Sequence, residues 1–354
     1  MELSLRAELA VRGLRAAPPV RRRAGAGPSD DGHWQLTGEC AATLPLAPRS
    51  PFALDAHGRL TRDGVVVEDV MVEAVERPRF YDLTTDDGVR YDQLARLHGR
   101  DVLATTVVQT CIRYTSADTR CRFCTIEESL RAGATTQVKR PEELAEVAAA
   151  AVKLDGVRQM VMTTGTSGGA DRGAKHLSKC VRAVKDAVPG LPIQVQIEPP
   201  VELAWIDKLR DAGADAIGIH IEALDQDVRE RWTPGKATVS VRRYEEAWAR
   251  ALAAFGPNRV STYLLVGLGE DPDELVDGAK RLIALGIYPF VVPLRPLGGS
   301  LAHADGVEAP PPEVLAEVTR RVGGALARAG MRGRDQVAGC AACGACSALQ
   351  HAGG

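Results

Sequence analysis

The chain has 354 residues, 45% of them hydrophobic, and a formal net charge of −2 with a pI near 6.4. That much apolar chain supports a large core, and the balanced charge offers no polyanion-binding surface, so no nucleic-acid partner is expected. No run of eighteen apolar residues occurs, and the opening "MELSLRAELAVRGLRAAPPVRRR" lacks the apolar stretch of a secretory signal, so the expectation is a cytoplasmic protein without a membrane partner.

In chain order, residues 1–50 are rich in Arg, Ala, Pro and Gly, and "APPVRRRAGAGPSDDG" predicts a flexible leader. Residues 51–100 carry short β signals with turns at Asp63–Gly64 and Asp87–Gly88, predicting a small β-rich N-terminal cap. From residue 102 strands alternate with helices. The predicted strands are "VLATTVVQT" (102–110), "VRQMVMTTGT" (157–166), "IQVQIE" (193–198), "DAIGIHIE" (215–222), "RVSTYLLVG" (259–267) and "YPFVVPLR" (288–295). Helical stretches between them include "PEELAEVAAAAVKL" (141–154), with Pro141 at its start, and "DPDELVDGAKRLIALG" (271–286), with acid at its start and Gly286 at its end. Residues 101–300 thus read as a core of β-α units, and residues 301–354 as a C-terminal helix followed by a cysteine-rich segment.

The strand faces select among α/β architectures. In "IQVQIE" Gln194, Gln196 and Glu198 share one face, and Ile193, Val195 and Ile197 the other. In "DAIGIHIE" Ala216, Gly218, His220 and Glu222 lie opposite Ile217, Ile219 and Ile221. A sheet sandwiched between helices is apolar on both faces, whereas polar residues on one face suit the lumen of a barrel. The predicted fold is α/β, a partial (β/α)6 TIM-like barrel.

Six of the eight cysteines fall in two groups. In a cytosolic chain such groups favour metal binding or catalysis over disulfides. Cys180 sits in a helical stretch and reads as a packed thiol. The stretch "QTCIRYTSADTRCRFCTIEE" (109–128) holds Cys111, Cys121 and Cys124 in the loop after the first core strand. Thiolates select zinc, copper(I) or iron–sulfur clusters, and structural zinc wants four ligands where only three are local. A four-iron cluster on three cysteines leaves one iron open. In the tail, "GCAACGACSALQHAGG" spaces Cys340, Cys343 and Cys346 by two residues each time, like the opening of a ferredoxin motif without its last Cys-Pro. A second cluster or zinc are the readings there, with Cys40, His351 or a substrate as the missing ligand.

The loop with Phe123 just before its last cysteine resembles the radical S-adenosylmethionine (SAM) superfamily. The commonest spacing in that family is three then two; nine then two resembles branches such as the elongator-type acetyltransferases. "MTTGT" (162–166) stands where the family has its Gly-Gly-Glu motif, which implies main-chain contacts to the SAM amino group from Thr164, Gly165 and Thr166. "VQIEPP" places Glu198 where family members touch the SAM ribose or amino-acid part, and "LRDAGADAIGIHIEALDQDVRERWTPGK" (209–236), with Glu222, is similar to the fourth β-α unit. "YLLVGLGED" (263–271) is similar to the Gly-x-Ile-x-Gly-x-x-Glu stretch near the adenine, with Gly267 and Glu270 matching and Tyr263 replacing the first glycine.

The resemblance covers about residues 100–300 and looks most like the biotin-synthase-related branch, more narrowly an uncharacterised radical SAM family encoded beside nitrilases. It implies a barrel of the radical SAM type and a 4Fe–4S cluster on Cys111, Cys121 and Cys124. It further implies SAM as cofactor, a 5′-deoxyadenosyl radical that takes hydrogen from a small-molecule substrate, and an electron donor such as flavodoxin or ferredoxin. Sulfur insertion, rearrangement and dehydrogenation are all outcomes of that chemistry. The tail trio is expected to hold a second 4Fe–4S cluster. Two rival classes stand beside this reading, an iron–sulfur electron carrier or scaffold without SAM turnover and a zinc-dependent barrel hydrolase.

Overall fold

The computed structural model describes residues 1–15, 33–37 and 41–352. Cys40 and most of the Pro- and Gly-rich stretch read as a leader lie outside the described residues. Seven strands form the main sheet: β6 (Arg96–His98), β7 (Val102–Thr106), β8 (Gln159–Thr163), β9 (Ile193–Ile197), β10 (Ala216–Ile219), β11 (Val260–Val266) and β12 (Tyr288–Pro293). Their spatial order is their chain order, β7 to β12 all parallel, with β6 antiparallel at one edge. Each parallel step therefore needs a crossover, and helices supply most of that length.

Side-chain alternation shows how the sheet bends. Leu103, Met160, Met162, Val195, Ile217, Ile219 and Leu264 point outward into the core shared with the helices. Ala104, Thr106, Val161, Thr163, Gln196, Tyr263 and Val292, from the other face of five strands, line a single cavity of about 490 Å³. A sheet whose inner face encloses one space is curled into a partial barrel, and the α/β half-barrel expected from the polar strand faces is what forms.

The outer helices begin and end where local chemistry dictates. Pro141–Asp155 opens with Pro at its first turn, Arg140 N–H donating to Glu143 Oε2 at 2.8 Å, and it stops at Gly156 in the left-handed region. Pro272–Ala284 is capped by Asp271, whose Oδ1 accepts from Asp273 N at 2.8 Å.

A second, five-stranded antiparallel sheet has the order β2-β1-β5-β4-β3, from β1 (His33–Leu36), β2 (Ala41–Thr43), β3 (Phe52–Leu54), β4 (Arg59–Arg62) and β5 (Val65–Ala74). It has its own core of Leu9, Trp34, Leu36, Phe52, Leu60 and Val72. Residues 1–50 are thus corrected in part. They contain a helix, Leu3–Arg12, and two strands of this sheet, because Leu9, Trp34 and Leu36 bury against strands β3–β5. The Arg- and Gly-rich composition around them hid that pattern. At the other end of the expected cap, β6 pairs with β7 and belongs to the barrel sheet.

The helix Pro312–Arg328 returns the chain to the barrel's outer wall. Residues 339–347 then pass beneath the lumen. Gly339 N donates to Gln159 Oε1 at 2.6 Å at the start of β8, Cys340 N to Gln194 Oε1 at 3.4 Å in β9, and Ser347 Oγ to Val291 O at 2.5 Å in β12. The tail is the floor of the barrel.

Candidate active site

Cys111 follows the C-terminal end of β7 and starts the short turn Ile112–Thr115. The strand end after β8 fixes it: Gly165 N donates to Val108 O and Ile112 N to Thr166 O, both at 2.9 Å. A Cβ on Gly165 would lie 2.0 Å from Thr110 O, so only glycine lets these two backbone segments meet. Gly165→Ala should lower stability by about 2–3 kcal/mol through this backbone clash, read as a lower urea midpoint together with weaker iron retention. An unchanged midpoint would contradict the packing.

Cys121 and Cys124 close a turn in which Cys124 N donates to Cys121 O at 3.0 Å. That turn is pinned from outside: Arg122 N donates to Trp232 O at 2.8 Å, and Arg120 Nη2 to Cys124 O at 2.9 Å while its guanidinium lies 3.7 Å from the Tyr114 ring centre. Arg113, inside the loop, forms a salt bridge with Glu198 (Nε to Oε2 at 2.7 Å, Nη2 to Oε1) and also bonds Gly235 O. Thr166 Oγ1 donates to the same carboxylate at 3.1 Å. Glu198, expected at SAM, thus anchors the cysteine loop to β9. Arg113 was missed in the sequence although it lies between the cysteines, because its partner is 85 positions away.

Each of the three thiols keeps some surface but is otherwise enclosed by protein. Burial pushes the Cys124 thiol up to about 11, and burial also drives Cys121 well above the ordinary thiol range, opposed by the Lys236 ammonium. Lys236 Nζ donates to Glu222 Oε2 at 2.6 Å and to His220 O at 2.9 Å. Glu222 adopts φ 67, a left-handed conformation unusual for a side chain of its size, and so turns its carboxylate onto Lys236. Two buried thiols that resist ionising alone, Cys121 and Cys124, are suited to a cationic centre that takes up their charge as protons leave. Among the described residues no three Cys, His, Asp or Glu side chains group tightly enough to hold one metal ion. The donor set of each trio, all sulfur, fits an iron–sulfur cluster spread over wider spacing.

The cavity runs from this loop to the floor. Cys124 and Phe123 line it at the mouth, and Cys340 and Cys346 at the base. Neither the sequence spacing nor the strand pattern indicated that both cysteine groups border one space. Cys340 opens the short helix Cys340–Cys343 and receives Tyr263 Oη at 2.7 Å and Gln196 Nε2 at 3.3 Å. Cys343 packs against Val102, Ala104 and Val161, and Cys346 Sγ lies 3.6 Å from Thr43 Oγ1. Burial raises Cys340 to about 11 and raises Cys343 further. His220 stacks on Tyr263 with centroids 4.0 Å apart and planes 11° from parallel. Burial, then Lys236, depresses it to about 3, so it is a neutral ring in the wall.

Lys139 is a second lumen residue that the sequence did not reveal. Its buried amine donates to Gln109 Oε1 at 3.2 Å, Thr135 Oγ1 at 2.7 Å and Thr136 O at 3.1 Å, and burial pulls it down to about 7. Arg295 also lines the lumen and donates to Thr43 O at 2.8 Å. Gly267 and Glu270 do not line this cavity; they border a separate one of about 260 Å³ beneath Pro310. Glu270 Oε1 accepts from Leu224 N at 2.7 Å and Asp225 N at 2.8 Å, fixing the entry to the helix Gln226–Trp232.

Residues 114–282 match the family model described as the radical SAM superfamily. A lipoyl synthase from Methanocella arvoryzae is 31% identical over 170 residues, covering 46% of this chain and 53% of that protein. The bacteriochlorophyllide c C-7(1)-hydroxylase of Chlorobaculum limnaeum is 28% identical over 136 residues, 37% of this chain and 33% of that one. The chain therefore spans between a third and about half the length of these relatives. Among solved structures, the FeFe-hydrogenase maturase HydG from Carboxydothermus hydrogenoformans superposes with a TM-score of 0.49 at 19% identity, over 65% of this chain and 52% of that one.

Proposed function

We propose that this chain, a radical SAM enzyme whose superfamily domain occupies residues 114–282, binds the SAM-cleaving 4Fe–4S cluster through Cys111, Cys121 and Cys124 and acts on a small molecule in the barrel lumen. The observation that carries this reading is the single cavity of about 490 Å³, a size that takes a small ligand, lined by Cys124 of one trio at the mouth and by Cys340 and Cys346 of the other at the base. When bound, the cluster and SAM supply one-electron cleavage of the sulfonium to methionine and a 5′-deoxyadenosyl radical, which takes hydrogen from an inert carbon.

The chain's own residues position and shield. The main chain of Thr164, Gly165 and Thr166, already laid against the cysteine loop, is the seat assigned to the SAM amino group. Glu222 and Lys236 offer a carboxylate and an ammonium near Cys121 for the charged amino-acid end. Phe123, Leu265 and Val292 give the lumen an apolar wall that keeps water from a reactive species. Glu198 and Glu270 act indirectly, one through Arg113 and the other by fixing the helix whose last residue, Trp232, holds Arg122. Gly267 lets Pro310 sit against the strand end beside that helix. Cys340, Cys343 and Cys346 hold a second 4Fe–4S cluster at the floor, and an external donor of the flavodoxin or ferredoxin kind supplies electrons.

Anaerobic reconstitution with iron and sulfide, followed by dithionite and SAM, tests this. The expected result is about eight irons per chain, falling to about four when Cys340, Cys343 and Cys346 are all replaced by Ala, with 5′-deoxyadenosine released by the parent chain. Intact SAM over a reducible cluster would favour an electron carrier, and failure to take up iron would favour the zinc hydrolase.

A further inference from the structure

The three floor cysteines have unequal surroundings. Cys343 lies in an apolar nest and Cys346 has Thr43 nearby at 3.6 Å, whereas Cys340 receives two donors, the Tyr263 hydroxyl at 2.7 Å and the Gln196 amide at 3.3 Å. Neither donor is there by accident of rotation. Tyr263 is clamped between His220, stacked at 4.0 Å, and Phe290, tilted at 5.5 Å, so its hydroxyl is aimed at the floor.

The Gln196 amide is oriented by a ladder below it. Its Nε2 also donates to Gln194 Oε1 at 3.0 Å; that oxygen is set as an acceptor by Cys340 N–H at 3.4 Å, while Gln194 Nε2 donates to Ser261 Oγ at 3.2 Å. The amide nitrogen, and not its oxygen, therefore faces the sulfur. Gly339, beside the ladder, has φ 108, and a Cβ there would meet the Gln194 side chain at 2.1 Å, so the backbone is built around this arrangement.

Hydrogen bonds to a ligating sulfur stabilise the more negative, reduced state of a cluster and raise its potential. We propose that Tyr263 and Gln196 are positioning residues for the floor site: they donate to the Cys340 sulfur, stabilise the electron added there and make that site easier to reduce than it would be on cysteines alone. This rests on the reading of a second cluster at the floor. Tyr263 and Gln196 also line the lumen, so a bound substrate shares a wall with the groups that set this potential.

The test uses full-length protein with Cys111, Cys121 and Cys124 replaced by Ala, reconstituted anaerobically, so that only the floor cluster remains. Its reduction is followed by electron paramagnetic resonance in a dithionite titration with redox mediators. In that background Tyr263→Phe keeps the ring and its stack but removes the donor. It should shift the oxidised-to-reduced ratio at fixed potential at least about tenfold toward oxidised, about 59 mV for one electron. Gln196→Leu should move it the same way by less. Iron content and visible absorption equal to the background confirm that the variants fold and load. A loaded Tyr263→Phe and Gln196→Leu with unchanged potentials overturns the proposal. Absence of any cluster in the background itself overturns the second-cluster reading on which it stands.

Discussion

Cys121→Ala, reconstituted anaerobically, is expected to form 5′-deoxyadenosine at least about a thousandfold more slowly than the parent chain and to lose about half of its iron, since removing only outer partners of a metal ligand already costs ten- to a hundredfold. The reason lies in the loop's construction. Cys121 is a buried thiol acted on by the Lys236 ammonium and the Glu222 carboxylate, and beyond Cys111 and Cys124 no other described thiol stands in the loop to replace it. Cys180→Ala is the matched control. That thiol is buried in the helix Ala174–Ala187, 3.6 Å from His176 Nε2, and its loss should cost stability alone, with SAM cleavage retained. Equal loss of cleavage in both variants would detach the chemistry from the trio.

The second large effect concerns the buried ion pair of Arg113 and Glu198. Arg113→Met should destabilise the protein by about 3–5 kcal/mol, because it leaves the Glu198 carboxylate, 2% exposed, buried without its partner. Glu198→Leu should cost a similar amount through the stranded guanidinium, 11% exposed. Replacing both together should recover most of the loss, since two apolar side chains of similar size leave no orphaned charge. Urea midpoints of the four proteins measure the coupling, and the rate of iron release to a chelator should follow the same order. Additive losses in the double variant would mean that the two residues do not act as a pair.

The parts of this molecule that could be read in advance are those set by short-range periodicity. "IQVQIE" and "DAIGIHIE" declared a polar inner face and an apolar outer face because a strand alternates every residue, and that alternation appears as the lumen and the helix-covered core. The thiol groups were equally plain, being local. What could not be read depends on contacts between distant positions. Arg113 meets Glu198 from 85 positions away, and Gly339 meets Gln159 from 180. Glu270 was placed in the sequence by its match to the stretch near the adenine, whereas its carboxylate holds the start of the helix that begins 44 positions earlier, at Gln226, and Asp271 caps the helix after it. The strands His33–Leu36 and Ala41–Thr43 escaped notice because Gly, Pro and Arg around them dominated the composition.

The segment under the lumen, residues 339–347, comes after every strand of the sheet in chain order. During synthesis the six parallel strands leave the ribosome before it. The mouth loop is complete early, held by Thr166 and Trp232, while the base waits for its last residues. Once Gly339, Cys340 and Ser347 bond to β8, β9 and β12, the bottom entrance is shut. The residues of the upper thiol group are thereby synthesised well before those of the lower one, whose contacts to β8, β9 and β12 are the last to become possible.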